Sequence, residues 1–118
     1  RWRGGRTASL TAEEPAAAGL IALGYPFHPS GRPKNPRLAH LETIRTPTLI
    51  LQGERDSFGN RHEVEDYNLS EAVRVHWLPD GDHSFRPGRG SDRTLDQNLK
   101  NAGRAIEKFL MEIWPSAV

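Results

Sequence analysis

The chain has 118 residues, enough for one domain and too few for two ordinary ones, so residues 1–118 are expected to share a single core. Hydrophobic residues make up 36% and charged residues 26%, with 11 glycines and 9 prolines, which describes a polar, loop-rich globular chain rather than a disordered one. A formal charge of +1 from 16 basic and 15 acidic residues spread along the chain argues against a nucleic-acid partner, and the lack of cysteine excludes disulfides, thiolate metal sites and a cysteine nucleophile.

In chain order, Gly4 and Gly5 precede a weak helical stretch over residues 7–12, which Pro15 brings to an end. The first apolar run is Gly19-Leu-Ile-Ala-Leu-Gly24, a strand by composition. Residues 25–37 carry Pro26, Pro29, Pro33 and Pro36 and read as a stiff loop, followed by a short helix. The second run, Thr48-Leu-Ile-Leu-Gln52, is continuously apolar until its last residue, as suits a central strand covered on both faces.

Asn60 followed by Glu63 has the spacing of a capping box, predicting a helix that reaches about Leu69. The third run, Val73-Arg-Val-His-Trp-Leu78, alternates apolar and polar residues and is expected at a sheet edge with one wetter face. Thr94 and Gln97 repeat the capping signature ahead of Leu95, Leu99, Ala102, Ile106, Phe109, Leu110 and Ile113, which predict one apolar face of a long helix stopped by Pro115. Strands separated by helix-length segments imply an α/β fold, a small three-stranded parallel sheet flanked by helices. An apolar first strand with a neighbour on one side only predicts an open edge, and with it a homo-oligomer or a missing upstream part of the sheet.

In open α/β sheets the working residues lie in loops beyond the carboxyl ends of strands. The second strand runs into Gly53-Glu54-Arg55-Asp56 and the third into Gly81-Asp82-His83, so Asp56 and His83 are expected on adjacent loops at one edge of the sheet. There a carboxylate can fix the imidazole tautomer and stabilise the imidazolium formed when the other ring nitrogen takes a proton. The competing reading makes Asp56 a cap or turn brace and His83 polar surface. His28 either lines a cleft or packs within its rigid loop, and His40, His62 and His76 have no comparable context. No histidine pair has metal-ligand spacing and Asp80 with Asp82 reads as a turn, so neither a metal nor a cofactor is expected. Arg86, Arg89 and Arg93 read as a solvated loop.

Together these segments resemble the C-terminal half of an α/β hydrolase. The likeness is nearest to dienelactone-hydrolase-like proteins, in particular the branch of the testis-expressed hydrolase-like proteins, through Gly24-Tyr-Pro-Phe-His-Pro-Ser-Gly31, the aspartate segment and Asp82-His83-Ser84-Phe85. The resemblance implies a truncated α/β hydrolase fold, a small ester or lactone substrate, Asp56 as triad acid and His83 as triad base. It also implies a serine elbow ahead of a Gly-Gly-Arg helix start. Gly4-Gly5-Arg6 fits that start, but the serine position falls near Trp2, so the nucleophile is left unassigned. Of the hydroxyls at Ser9, Ser30, Ser57, Ser70, Ser84, Ser91 and Ser116, those of Ser57 and Ser84 read as caps or braces of their loops and the others as structural, with a substitute nucleophile such as Ser9 the alternative.

The chain starts at Arg1 rather than Met, as a processed protein, an engineered boundary or a fragment does. No apolar run approaches the roughly 20 residues of a membrane span and the N-terminus lacks a signal-peptide core, so the expected location is the cytoplasm. Two functions remain open at this point: an esterase-type hydrolase acting on small esters, and a non-catalytic dimerising or binding module derived from a hydrolase fold.

Overall fold

The structure, a computed structural model, describes residues 18–34 and 36–114. The helix expected over residues 7–12, the Gly4-Gly5 pair, Trp2, Ser9, Pro115 and Ser116 lie outside the described residues. Three parallel strands, β1 (Leu20–Leu23), β2 (Thr48–Gly53) and β3 (Val73–Leu78), form one sheet in the order β1-β2-β3. Leu20 and Val73 flank Thr48 in register. The expected α/β class, the central place of the second run and the edge place of the third all hold.

The continuous apolar character of β2 has a direct cause, because all six of its residues are buried and its side chains feed two separate cores. Ile50 packs with Ala22, Tyr25, Phe27, Leu41 and Val64 on one face. Leu49 and Leu51 pack with Leu78, Phe85, Ala102 and Phe109 on the other. Each such side chain contributes about 1.5–3 kcal/mol when fully removed from water, which makes this strand the anchor of both layers. On β3, Val73, Val75 and Trp77 pack against the first core. The polar alternates turn to the long helix, Arg74 meeting Glu112 at 2.7 Å and His76 meeting Asn101 at 2.6 Å. The wetter face of the edge strand is thus covered by a polar flank of helix.

The helices are α1 (Ala39–Thr43), α2 (Arg61–Val64) and α3 (Leu95–Ile113). Both capping boxes form in full, at Asn60–Glu63 and at Thr94–Gln97. The helix opened by the first is far shorter than the reach to Leu69 expected from sequence. After Val64 the backbone tightens, Asp66 N–H bonding to Glu63 C=O and Tyr67 N–H to Val64 C=O, and Tyr67 turns its ring onto Phe27 at 5.7 Å. Packing of one aromatic residue outweighs continuation of a helix with little apolar periodicity. On α3 the buried positions are Asn98, Ala102 and Phe109, whereas Leu99, expected on the packed face, is 50% exposed. A polar residue holds the place that periodicity assigned to an apolar one, for a reason found at the strand ends. No described helix is long and apolar enough to cross a membrane.

Candidate active site

Strand β2 ends in Gly53 and β3 in Leu78, and the loops that follow are stitched together by backbone and side-chain hydrogen bonds. Arg55 N–H donates to Gly81 C=O at 2.8 Å, and Glu54 N–H to Leu78 C=O at 3.2 Å. Glu54 accepts from the Asp80 N–H with one oxygen and from Arg61 with the other, each at 2.9 Å. Such closeness needs a bare backbone at position 53. A Cβ there would run into the carbonyl oxygens of Gly81 and Asp82, neither of which belongs to a flexible side chain. Gly53→Ala is therefore expected to part the loops and lower stability by about 1–3 kcal/mol, the usual range for overpacking, read as a fall in the urea midpoint.

At the meeting of the two loops, Asp56 Oδ2 lies 2.8 Å from His83 Nδ1. The other carboxylate oxygen accepts the Phe58 N–H at 2.8 Å, so both oxygens of a fully buried side chain have donors. The His83 side chain is 45% exposed and its ring lies 4.7 Å from that of Phe58. Gly24, in the left-handed region at φ 71°, closes the end of β1 against the same imidazole; a Cβ there would stand 3.0 Å from His83 Cε1. With Nδ1 committed to a carboxylate, Nε2 is the nitrogen left to take or give a proton, and no partner for it is found among the described residues.

The remaining sites expected from sequence fall as follows. Ser57 receives a hydrogen bond from Ser30 at 3.2 Å, Ser70 bonds to Ile44 C=O, and Ser91 accepts from the Arg93 N–H. No described serine hydroxyl bonds to His83. The Asp80 and Asp82 carboxylates accept backbone N–H groups, Asp80 from Gly88 and Asp82 from Ser84 and Arg86, as turn braces do. Among the described residues no group of three or more His, Cys, Asp or Glu side chains is placed to hold a metal.

Both alternatives for His28 hold at once. It is buried at 2% exposure, and with Pro26, Pro29, Arg37 and Phe58 it lines a cavity of about 110 Å³ beside the His83 contact of Phe58. A larger pocket of about 500 Å³, lined by residues that include Glu42, Arg45, Ser70 and Glu71, flanks Thr43–Arg45 and the residues just before β3, at the end of the sheet remote from His83.

Sequence reasoning missed the buried amides that set the loops in place. Gln52 accepts the Tyr25 N–H at 2.8 Å and donates to the carbonyls of Tyr25 and Gly59, joining the loop after β1 to the loop that carries Asp56. Asn98 donates to Pro79 C=O and Phe85 C=O and accepts from Arg93, which fixes the loop that carries His83 to the first turns of α3. Phe85 is held by this bond and by Asp82 C=O at φ 69°, a conformation rare for a bulky residue. The signal for both amides was a polar residue where the apolar pattern called for another.

The small three-stranded parallel sheet with its flanking helices is consistent with a truncated α/β hydrolase fold. A family described as an alpha/beta hydrolase domain matches residues 2–111, and the chain belongs to it. No curated protein matches the chain in sequence.

Proposed function

We propose that this chain performs the acid–base chemistry of an esterase-type hydrolase acting on small carboxylic esters or lactones, with Asp56 orienting His83 as general base. The single observation behind this reading is the 2.8 Å bond between a fully buried carboxylate and an imidazole that is 45% exposed. A turn brace has no need of a half-exposed imidazole on one oxygen, and a surface histidine has no need of a buried acid. The dienelactone-hydrolase-like and testis-expressed branch fits the Gly24–Gly31 and Asp82–Phe85 motifs. A cytoplasmic location belongs to the same reading, as does a second copy pairing along β1, whose described partner lies on one side only.

In this reading the serine nucleophile comes from outside the described residues. Its Oγ attacks the ester carbonyl carbon while its proton passes to His83 Nε2, and Asp56 stabilises the imidazolium. The same proton then goes to the departing alkoxide as the C–O bond breaks, leaving an acyl-enzyme. Water repeats the sequence through Nε2, releasing the acid and restoring the serine.

A chromogenic short-chain ester assay on the intact protein tests this. Turnover that disappears in His83→Ala supports it, and a fluorophosphonate probe followed by peptide mapping identifies the serine. Absence of turnover, or turnover indifferent to His83→Ala, favours a non-catalytic module instead.

A further inference from the structure

The loop that carries Asp56 is gripped from two sides, and the chemistry above uses only the His83 side. On the other side the His28 N–H donates to Phe58 C=O at 3.1 Å, while the Phe58 N–H donates to Asp56 Oδ1 at 2.8 Å. Phe58 also lays its ring against His83. One residue thus connects His28 to both members of the pair.

The His28 side chain completes the grip. Its Nδ1 lies 2.7 Å from Pro29 C=O and its Nε2 lies 3.0 Å from Glu63 Oε1. A carbonyl and a carboxylate oxygen can only accept, so the two bonds are made together only when both ring nitrogens donate, as they do in an imidazolium. Glu63 Oε1 also accepts the N–H of Asn60, the residue at which the Asp56 loop ends. The cation is therefore bound to the middle of that loop through its backbone and to the end of it through Glu63.

We propose that His28, as a buried imidazolium, is a positioning residue for the Asp56–His83 pair, clamping the Asp56 loop so that Oδ2 stays on His83 Nδ1. The proposal rests on the hydrolase reading of that pair. Glu63 from α2 and Asp56 from the clamped loop both favour the cation, and Arg37 from the far end of the His28 loop lines the same cavity. Tyr67, whose buried hydroxyl has no partner among the described residues, lies within electrostatic reach of Glu63.

Burial works against the charge on His28, yet the bonds to Glu63 and Pro29 outweigh it and hold its pKa above the ordinary 6.5. Burial likewise opposes the charge on Glu63, and the bonds from His28 and Asn60 hold its pKa below 4.5. A raised histidine pKa stabilises the fold fully below 6.5 and loses that contribution as pH rises through the folded value. A lowered glutamate pKa does so above 4.5 and loses it as pH falls through its own. The clamp therefore contributes in full between about pH 4.5 and 6.5 and opens on the alkaline side only as pH passes the raised folded value of His28, since a neutral ring can satisfy Pro29 or Glu63 but not both.

Nitrogen-15 NMR of the histidine rings in the intact chain tests this, the five histidines being assigned by single substitutions. In the wild type His28 is expected to carry two ring protons and His83 a fixed Nδ1–H tautomer. Glu63→Leu, which leaves no polar group opposite Nε2, is expected to leave His28 with one proton, to average the His83 tautomers, and to lower kcat on the order of 10- to 100-fold with KM little changed. Raising the pH of the wild type gives the same readout without a substitution, His83 losing its fixed tautomer in step with the second proton of His28.

A His83 tautomer that stays fixed while His28 is neutral, by either route, overturns the clamp. Asp56→Asn separates the two ideas. If it too leaves the His83 tautomer unchanged, the acid–histidine reading itself falls and the clamp falls with it; if it alters that tautomer while loss of the His28 proton does not, only the clamp is lost.

Discussion

Asp56→Asn is expected to lower ester turnover by about 10⁴-fold while leaving the fold in place, the largest effect predicted for any substitution that conserves shape. The carboxylate uses both oxygens, one for the Phe58 N–H and one for His83 Nδ1. An amide of the same size has one accepting oxygen and one donating NH₂. If the oxygen keeps the buried Phe58 N–H, the NH₂ faces His83 and Nδ1 must accept. That moves the imidazole proton to Nε2, the nitrogen that has to receive one from the nucleophile. Stability falls far less than activity, because the Phe58 bond survives. Steady-state kinetics beside circular dichroism checks both halves, and a loss of less than tenfold in kcat counts against Asp56 as the orienting acid.

The second large effect concerns stability. Gln52→Leu keeps the volume of a fully buried side chain but removes three hydrogen bonds, two to the backbone of Tyr25 and one to Gly59 C=O. Each buried group deprived of its partner costs about 1–3 kcal/mol, so a total of roughly 3–5 kcal/mol is expected after relaxation. Leucine supplies more apolar contact than glutamine and offsets part of the loss, so the measured fall is a lower bound on what the polar bonds contribute. Urea denaturation reads it as a fall in midpoint with an unchanged slope. A loss below about 1 kcal/mol would show that the loops beyond β1 and β2 hold each other without the amide.

These two residues also mark where the sequence was legible and where it was not. The pairing of Asp56 with His83 was foreseeable because parallel strands send their outgoing loops to the same edge, a consequence of topology that short apolar runs reveal. The role of Gln52 was not. In sequence it is only the polar end of an apolar run, and its three partners lie in loops whose paths no local pattern encodes. Asn98 and Leu99 show the same limit on a helix. Periodicity assigned the packed face to within one residue, but which neighbour turned inward depended on the carbonyls of Pro79 and Phe85 waiting to be satisfied.

The α/β class, the three strands, both capping boxes and the edge at which Asp56 meets His83 follow from residue order alone, because period-2 and period-3.6 patterns and side-chain caps act over a few residues. The tertiary structure decided the rest. It ended α2 where Tyr67 found Phe27, pressed the two loops together at Gly53, and sealed His28 between Pro29 and Glu63. Apart from the bond of His28 to the adjacent Pro29, each of these is a contact between segments far apart in the chain, chosen by the need to fill space and pair buried polar groups once the strands had met.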